Sequence, residues 1–358
     1  MSIEIVIALS ALAIALITVS SLFFILWRRQ SVSTSLSQRV NLERDAKYVV
    51  TSKPEDILGP RYKIGYELGR GMNAVTYCVE DTQDKSQPLV AKMLLTPEEE
   101  PRITATSFIR HSNRFRREMK HLEELHDSQY VVRLHKSQPY ALRPFFVMER
   151  CDGSLADRIS SGLLDMQEIL DVMVDVLLGL QNCHKRKIFH RDLKPANILK
   201  RGDKWVLADF GMSLLGNDAT VVSVPESLPG TIPYTAPEVM YFDSAQIGPP
   251  ADLFSLGVTL KEMLTGQNIW HEQPSNLLQY RAGKIRKEEV SHFNAIVDLM
   301  ISLRPEDRQQ NVGETAKLIK AAFMEVNQTR LSEAKKRSYS ELKGIDRLDR
   351  VVSNSAIQ

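Results

Sequence analysis

The sequence predicts an α+β fold with two lobes, a β-rich lobe followed by a mainly helical one, and a single apolar helix ahead of both. Alternating apolar residues predict strands at 62–68 and 75–79, and an apolar run predicts a third strand at 89–95. Between Met166 and His184 the apolar side chains instead repeat at helical spacing. A cleft between two such lobes is a common position for a ligand site.

The remaining elements follow from the same two periodicities. Residues 96–112 are rich in Glu, Pro, Arg and Thr and are predicted as a connector, and a helix follows at 115–126. Further strands are predicted at 131–134 and 145–148, and further helices at 155–159, 251–264, 291–301 and 312–326. The buried stripe of the long helix is predicted to consist of Ile169, Val172, Val176, Leu177 and Leu180.

Composition narrows the class of protein. The 358 residues suffice for one large or two modest domains, and the net charge of +2 is too small to indicate nucleic-acid binding. Cys78, Cys151 and Cys183 are widely spaced and form neither a metal-ligand pattern nor a disulfide framework. We therefore expect three structural or surface thiols in a reduced compartment.

The first thirty residues predict a membrane anchor. Residues 5–27 contain no charge and would span roughly 34 Å as a helix, which is enough for a bilayer core. Arg28 and Arg29 follow directly, so the positive-inside rule places residues 1–4 outside and the C-terminal part in the cytoplasm. With so few residues outside, we expect no external sensor domain. The alternative is a cleaved signal peptide, which the missing basic n-region disfavours.

Polar segments flank the predicted two-lobe domain, which covers residues 59–328, with lobes at about 59–149 and 153–328. Residues 28–58 are predicted as a juxtamembrane linker. Residues 329–358 form a charged tail, in which we expect a short helix around 331–342 and disorder over the final ten residues.

One polar stretch carries the strongest chemical signal. Residues 188–199 read IFHRDLKPANIL, and the stretch 207–211 then reads LADFG. Apolar residues on both sides predict a polar loop held between a buried helix end and a short strand. Asp192, Asn197 and Asp209 offer two carboxylates and an amide, a plausible constellation for Mg²⁺ and phosphate because Mg²⁺ prefers a few hard oxygen ligands beside substrate phosphates.

These two stretches resemble the catalytic core of the eukaryotic-like protein kinases. The resemblance implies that Asp192 acts on the proton of the substrate hydroxyl and that Lys194 steadies the γ-phosphate of ATP. Asn197 and Asp209 would hold Mg²⁺, with Mn²⁺ as a substitute. A lysine at position 194 is typical of kinases that phosphorylate Ser and Thr. Protein substrates are therefore expected.

The β-rich lobe resembles the nucleotide-binding lobe of the same family. Residues 68–75, LGRGMNAV, resemble the Gly-rich loop, with Ala74 in place of the third glycine. Lys92 stands in an apolar strand, where it would hold the α- and β-phosphates and pair with Glu118 of the next helix. The residues expected around the nucleotide are Leu68, Gly69, Arg70, Gly71, Ala74, Thr76, Val90, Lys92, Glu118, Met148, Glu149, Cys151, Asn197 and Asp209.

Residues 146–153, FVMERCDG, resemble the hinge between kinase lobes. Backbone groups near Glu149 and Cys151 would then hydrogen-bond adenine, and Met148 would limit the depth of the pocket. Hinge contacts are made by the backbone.

Downstream motifs complete the resemblance, which covers about residues 60–328. Thr231 matches the residue that supports the catalytic loop in Ser/Thr kinases, and the Ala-Pro-Glu sequence ending in Glu238 matches the end of the activation segment. Asp252 is expected to brace the catalytic loop. Arg308 is expected to form a buried, bidentate ion pair with Glu238.

Arg191 suggests regulation, because kinases with this arginine often require a phosphate in the activation segment. We expect autophosphorylation, in trans within a homodimer, inside 213–231. The candidate hydroxyls are Ser213, Thr220, Ser223, Ser227 and Thr231, of which Thr220 and Ser223 are preferred.

Two other functions remain open at this point. A pseudokinase that binds nucleotide without turnover is favoured only by Ala74, since every catalytic residue is retained. A kinase of small molecules on a similar fold is disfavoured by Thr231 and the Ala-Pro-Glu sequence, which are typical of kinases that bind peptides.

Overall fold

The structure, a computed structural model, describes part of the chain. The described residues are 57–141, 143–211, 214–215, 232–240, 247–266, 285, 287–333 and 341–355. The predicted anchor at 5–27, nearly all of the linker at 28–58 and the candidate phosphorylation sites from Ser213 to Thr231 lie outside them. Among the residues that are described, no helix is both long and apolar enough to cross a bilayer.

The described chain divides into two compact units. The first consists of the residues up to Ile103 together with Gln138–Phe146, and the second of Thr104–Ser137 together with the residues from Val147 onward. The helix that we placed within the first lobe therefore groups with the second unit.

The strands of the first unit form most of a six-stranded sheet in the order β1-β2-β3-β4-β6-β5. Strands β5 and β6 cross the division between the units. The bounds are Ile57–Leu58 (β1), Tyr62–Arg70 (β2), Ala74–Asp81 (β3), Leu89–Leu94 (β4), Leu134–Gln138 (β5) and Phe145–Glu149 (β6). The predicted strands at 62–68, 75–79, 89–95 and 145–148 are thus confirmed, whereas residues 131–133 lie outside β5.

The connector predicted at 96–112 is wrong in its second half. Helix α1 runs over Ala105–Glu124, ten residues longer at its start than the helix predicted from the apolar spacing. Thr104 caps this helix, because its Oγ1 accepts a hydrogen bond from the backbone N–H of Ser107 at 3.2 Å. The first turns are mostly polar, and Phe108 and Ile109 are their only large apolar residues, so their apolar spacing is a weak signal.

The second unit is built around helix α3. Besides α1, its described helices are Leu155–Ser160 (α2), Met166–Lys185 (α3), Pro237–Met240 (α4), Pro249–Thr265 (α5), Lys287–Ser291 (α6), Asn294–Met300 (α7), Val312–Glu333 (α8) and Arg347–Ser355 (α9). All five residues of the predicted stripe on α3 are buried. The helix predicted at 291–301 is confirmed as α7 over Asn294–Met300, and Ser291 belongs to the separate helix α6.

Short strands attach the catalytic segments to α3. Gly153–Ser154 (β7), Ile198–Arg201 (β9) and Lys204–Leu207 (β10) form a sheet in the order β10-β9-β7, and Ile188–Phe189 (β8) pairs with Leu214–Leu215 (β11). Strand β10 packs on α3 at Gly179. A Cβ at that glycine would lie 2.9 Å from Leu207 Cδ1 and 3.0 Å from the carbonyl oxygen of Tyr130, so only glycine permits this approach.

The disorder expected over the final ten residues is wrong for residues 349–355, which belong to α9. Leu348 and Val351 are fully buried. The side-chain Nε2 of Gln181 donates to the carbonyl of Val351 at 2.6 Å. The helix is stabilised by contacts with residues about 170 positions earlier, which local composition does not reveal.

Candidate active site

Asp252, in the first turn of α5, holds the catalytic loop as predicted. One carboxylate oxygen accepts the backbone N–H of His190 at 2.9 Å, and the other accepts that of Arg191 at 2.8 Å. His184 Nε2 lies 2.8 Å from the same carboxylate. Burial alone would raise the pKa of Asp252, but the hydrogen bond and charge of His184 and the N–H of Arg191 lower it below the ordinary value.

The loop contains backbone conformations that few non-glycine residues adopt. Arg191 and Asp209 both have φ near +64°. Such conformations cost about 1–3 kcal/mol each and persist where the surroundings enforce them. At Arg191 the enforcing contact is the hydrogen bond from its N–H to Asp252. The strain is stored in the two segments that carry the predicted catalytic carboxylates.

Asp192, Lys194 and Asn197 converge at the centre of the loop. Lys194 Nζ donates to Asp192 Oδ2 at 2.9 Å, and Asn197 Nδ2 donates to the same oxygen at 3.0 Å and to the Asp192 carbonyl at 2.8 Å. The second carboxylate oxygen, Oδ1, is buried, and no group of the described residues donates a hydrogen bond to it. A buried acceptor of this kind is costly unless a ligand donates to it. The geometry therefore leaves one oxygen for an incoming donor such as a hydroxyl group.

His190 connects this loop to the Asp-Phe-Gly segment. Its ring nitrogen Nε2 lies 3.0 Å from the carbonyl of Ala208, and its ring packs 4.8 Å from that of Phe210. The N–H of Ala208 donates to the carbonyl of Asn197 at 2.9 Å. Asp209 is therefore positioned from both sides, by the loop and by the strand pair β9–β10.

The residues present fit a Mg²⁺ site of the predicted kind. Because the amide nitrogen of Asn197 donates to Asp192, its amide oxygen is left as the ligand atom. Asp209, which the loop and the strand pair β9–β10 position, supplies a carboxylate. Among the described residues, no group of three or more His, Cys, Asp or Glu side chains could hold a metal ion. The remaining ligands would have to be phosphate oxygens or water, as Mg²⁺ accepts.

Glu118, on α1, lies close to the Asp-Phe-Gly segment. A Cβ at Gly211 would lie 3.5 Å from Glu118 Oε2 and 3.3 Å from Asp209 Oδ1. Because Gly211 has no side chain, it leaves space between the carboxylates of Glu118 and Asp209. The predicted partner of Glu118 is Lys92 of the first unit, and their pairing stays a prediction.

Within the first unit, the Gly-rich stretch is a hairpin between β2 and β3. The N–H of Gly71 donates to the carbonyl of Ala74 at 2.8 Å and closes the turn. A Cβ at Gly69 would meet no atom of the described residues within 4 Å, so this glycine leaves space beside the backbone. Arg70 pairs with Glu67 across an exposed surface, and Leu68 is exposed. The backbone of this hairpin is accessible, as phosphate binding requires.

Lys92 lies on β4 directly opposite Thr76 of β3. Its Nζ is 5.8 Å from the centre of the Phe146 ring, a distance at which a cation is attracted to the ring face. Val90, two residues earlier, is buried opposite Cys78. The strand register therefore places Thr76 and Lys92 side by side, as the nucleotide prediction requires of them.

The predicted hinge residues Met148 and Glu149 end strand β6, and Cys151 follows the strand. Glu149 uses its side chain for structure, because Oε1 accepts from Arg201 Nη1 at 2.8 Å and from the N–H of Arg133 at 2.7 Å. Met148 is partly buried. Burial raises the pKa of the Cys151 thiol to about 12, so this cysteine is neutral at physiological pH. Any adenine contact at Glu149 and Cys151 is left to their backbone groups.

Comparison with known proteins agrees with this geometry. The protein kinase domain family matches residues 62–340, more than half of the chain. The chain belongs to this family.

Several curated relatives are similar to the kinase domain. A probable serine/threonine-protein kinase of Streptomyces coelicolor is 32% identical over 215 residues, covering 58% of this chain and 30% of the relative. A probable serine/threonine-protein kinase of Lactococcus lactis is 27% identical over 279 residues, covering 76% and 41%. A CBL-interacting serine/threonine-protein kinase of Arabidopsis thaliana is 28% identical over 230 residues, covering 64% and 48%. This chain thus spans less than half the length of each.

The predicted ion pair of the kinase domain is confirmed. Arg308 Nη1 lies 2.7 Å from Glu238 Oε1, and Nη2 lies 3.0 Å from Oε2. The guanidinium also stacks 4.8 Å from the ring of Phe254 and donates to the carbonyl of Pro250. This pair fixes the end of the Ala-Pro-Glu sequence to α5.

Two parts of the kinase domain escaped the sequence analysis. His184 ends the apolar stripe of α3 and was not assigned a role, although it contacts Asp252. Asp175 lies in the same helix and accepts the backbone N–H of Trp205 at 2.9 Å. An isolated polar residue within an apolar helical stripe was the only signal for the second contact.

Proposed function

We propose that this chain is a serine/threonine protein kinase that transfers the γ-phosphate of ATP to Ser and Thr hydroxyl groups of proteins. The observation that carries the proposal is the convergence of Lys194 and Asn197 on one oxygen of Asp192, while the other oxygen is buried and receives no hydrogen bond from the described residues. Membership of the kinase domain family and the names of the relatives support the same activity.

In this mechanism Asp192 Oδ1 accepts the hydrogen bond of the substrate hydroxyl and orients its oxygen toward the phosphate. Lys194 holds the other oxygen of Asp192 and keeps a positive charge beside the transferring group. Asn197 and Asp209 would hold Mg²⁺, which would neutralise charge on the phosphate oxygens. Because phosphoryl transfer depends mostly on positioning and electrostatics, these groups suffice.

The activity is tested with ATP labelled at the γ-phosphate, Mg²⁺ and a generic protein substrate. The full chain should transfer label, and Asp192→Asn should lose most of the transfer. Asp203→Asn is the matched control, because Asp203 is an exposed carboxylate in the turn between β9 and β10. Equal transfer by the chain and Asp192→Asn would refute the assigned mechanism, and label on tyrosine alone would refute the Ser/Thr assignment.

We also propose that residues 5–27 anchor the kinase in a membrane, with residues 1–4 outside and the kinase domain in the cytoplasm. The charge-free stretch and the two arginines directly after it support this orientation. In intact cells, Ser2→Cys should react with a membrane-impermeant thiol reagent, whereas Ser31→Cys should not. The opposite pattern, or release of the chain from membranes by alkaline carbonate, would contradict the anchor.

Regulation by phosphate is proposed for the segment 213–231. Burial lowers the pKa of Arg191 to about 10, and the positive charges of Arg114 and Arg117 lower this pKa further. The negative charge of Asp252 raises the same pKa and so opposes these effects. Three guanidinium groups that repel one another would be stabilised by a phosphate bearing about −1.5 to −2 charges. We therefore propose autophosphorylation within that segment, in trans between two copies of the chain.

Mass spectrometry of active protein should locate phosphate on Thr220 or Ser223. To test the trans reaction, a size-tagged Asp192→Asn chain is mixed with the unsubstituted chain and ATP. Phosphate on the tagged chain supports transfer between copies, and its absence with phosphate on the untagged chain would contradict it. No phosphate in the segment of active protein would refute the regulatory proposal.

A further inference from the structure

The C-terminal segment 341–355 is attached to the kinase domain at several separate points. Gln167 of α3 makes two hydrogen bonds with the backbone of Lys343, at 2.8 and 2.9 Å. Leu348 and Val351 have no exposed surface, and a Cβ at Gly313 would lie only 2.4 Å from Ser355 Cβ. The end of α9 therefore packs directly on the first turn of α8. Packing this close is a specific contact between the two helices.

Arg347 opens α9 and forms the polar part of this contact. Its guanidinium pairs with Asp171 at 3.1 Å and with Asp175, both on α3. The side chain of Asp171 is 36% exposed, whereas that of Asp175 is only 1% exposed. A carboxylate buried to that degree is costly unless a cation or several donors compensate it. Arg347 is the cation that the described structure provides for Asp175.

Asp175 in turn holds the strand that leads to Asp209. Its second oxygen, Oδ2, accepts the N–H of Trp205 on β10 at 2.9 Å. One turn further along α3, Gly179 receives Leu207 of the same strand. Strand β10 is therefore fixed to α3 by one polar and one steric contact. The polar contact depends on the negative charge of Asp175, which Arg347 of the C-terminal helix compensates.

The strand pair β9–β10 joins the two predicted metal ligands. Strand β9 begins directly after Asn197, and β10 ends two residues before Asp209. Ile198 pairs with Leu207, and Lys200 pairs with Trp205. A displacement of β10 along α3 would thus change the position of Asp209 relative to Asn197. Two oxygen ligands of one Mg²⁺ tolerate little displacement, because Mg²⁺ demands near-ideal geometry.

We propose that Arg347 is a positioning residue for the metal site: through Asp175 and Trp205, the C-terminal helix fixes the strand that carries Asp209. The inference rests on the proposed kinase function for its metal part. The link from Arg347 through Asp175 to Trp205 is independent of that function. The two parts are therefore tested by different measurements on the same variants.

The first measurement is hydrogen exchange of the Trp205 amide in the full chain. Arg347→Ala should accelerate this exchange at least about tenfold, since hydrogen bonds to charged groups are stronger than neutral ones and Asp175 would lose its charge compensation. Lys320→Ala is the matched control, because Lys320 also joins α8 to α9 through Asp349 but does not reach Asp175. Unchanged exchange in Arg347→Ala, or equal acceleration in Lys320→Ala, would overturn the inference.

A second variant guards against general unfolding by Arg347→Ala. Asp175→Asn keeps an acceptor for the Trp205 N–H but removes the buried charge. In the Asp175→Asn background, the further change Arg347→Ala should leave Trp205 exchange unaltered, because no buried charge then needs a cation. A tenfold acceleration in that background as well would show that Arg347 acts through packing alone and would overturn the inference.

The second measurement is the Mg²⁺ concentration needed for binding of a non-hydrolysable ATP analogue. Arg347→Ala should raise it about tenfold, the lower end of what outer partners contribute to a metal site, and Lys320→Ala should leave it unchanged. A tenfold effect on Trp205 exchange without any effect on Mg²⁺ would contradict the positioning role. Failure of the unsubstituted chain to bind nucleotide would instead refute the proposed function. The exchange results would still test whether Arg347 acts on Trp205 through Asp175.

Discussion

Arg308 and Glu238 form a bidentate ion pair with almost no solvent contact, although 70 residues separate them. The pair ties the end of the activation segment to the loop after α7, with 0% and 2% of the two side chains exposed. The position of the Ala-Pro-Glu sequence therefore depends on a charge supplied from far along the chain.

Arg308→Leu should lower the free energy of unfolding by about 3–5 kcal/mol, because the buried carboxylate of Glu238 would lose its cation. Chemical denaturation of the full chain measures the change. Arg102→Ala is the control, since its pair with Glu100 lies on the surface and should contribute little. Equal losses in the two variants would mean that burial does not set the contribution of the pair.

Asp252→Asn should destabilise the kinase domain by at least about 2 kcal/mol near neutral pH. The carboxylate accepts from two backbone N–H groups and lies beside His184, and an amide can only partly replace it. Because the pKa of Asp252 is lowered on folding, its stabilisation is present above the ordinary aspartate pKa of about 3.9. It is lost as the pH falls through the lower pKa of the folded state.

The unsubstituted chain and Asp252→Asn should therefore differ in free energy of unfolding by a constant amount between about pH 6 and 8, because this range lies well above the pKa of Asp252. The difference should shrink below about pH 4. A difference that grows toward acid pH would contradict the assigned direction of the shift.

Gly179→Ala should cost about 1–3 kcal/mol of stability by overpacking α3 against β10. Gly69→Ala should leave stability unchanged, because its new methyl group meets open space in the hairpin. The same Gly69→Ala change is expected to weaken nucleotide binding. Denaturation and nucleotide titration on both variants separate the two effects, and a stable Gly179→Ala protein would mean that β10 can move away from α3.

Asn197→Ala should raise the Mg²⁺ concentration at which phosphate transfer is half-maximal by about 10–100-fold, the range expected when a metal site loses a supporting residue. The same change removes two hydrogen bonds to Asp192, so maximal transfer should also fall. Initial rates over a range of Mg²⁺ concentrations separate the effect on Mg²⁺ dependence from the effect on maximal transfer. If the Mg²⁺ dependence were unaltered, Asn197 would not be a metal ligand.

Much of the fold could be predicted because its signals are local. The strands at 62–70 and 74–81 alternate in polarity, and α3 carries an unbroken apolar stripe. The catalytic loop was recognisable because phosphate chemistry restricts the residue types and their order. The pair of Arg308 and Glu238 followed from the resemblance, not from any local pattern.

Other features depend on contacts that are distant in sequence. The start of α1 is polar, and its cap at Thr104 was overlooked in a connector-like composition. Helix α9 fully buries Leu348 and Val351, and its third apolar residue, Val352, is partly exposed. Three apolar residues are too few to predict a helix without its packing on α3 and α8. The link from Arg347 through Asp175 to Trp205 is likewise visible only in three dimensions.

The most direct test compares nucleotide binding and phosphate transfer in the same preparations of the full chain and Asp192→Asn. The account predicts similar affinity for ATP with Mg²⁺ in both, and transfer to Ser and Thr that is about 10²–10⁴-fold slower in Asp192→Asn, the usual contribution of a residue that handles the reacting proton. Binding of ATP without transfer by the unsubstituted chain, or equal transfer by both proteins, would contradict it.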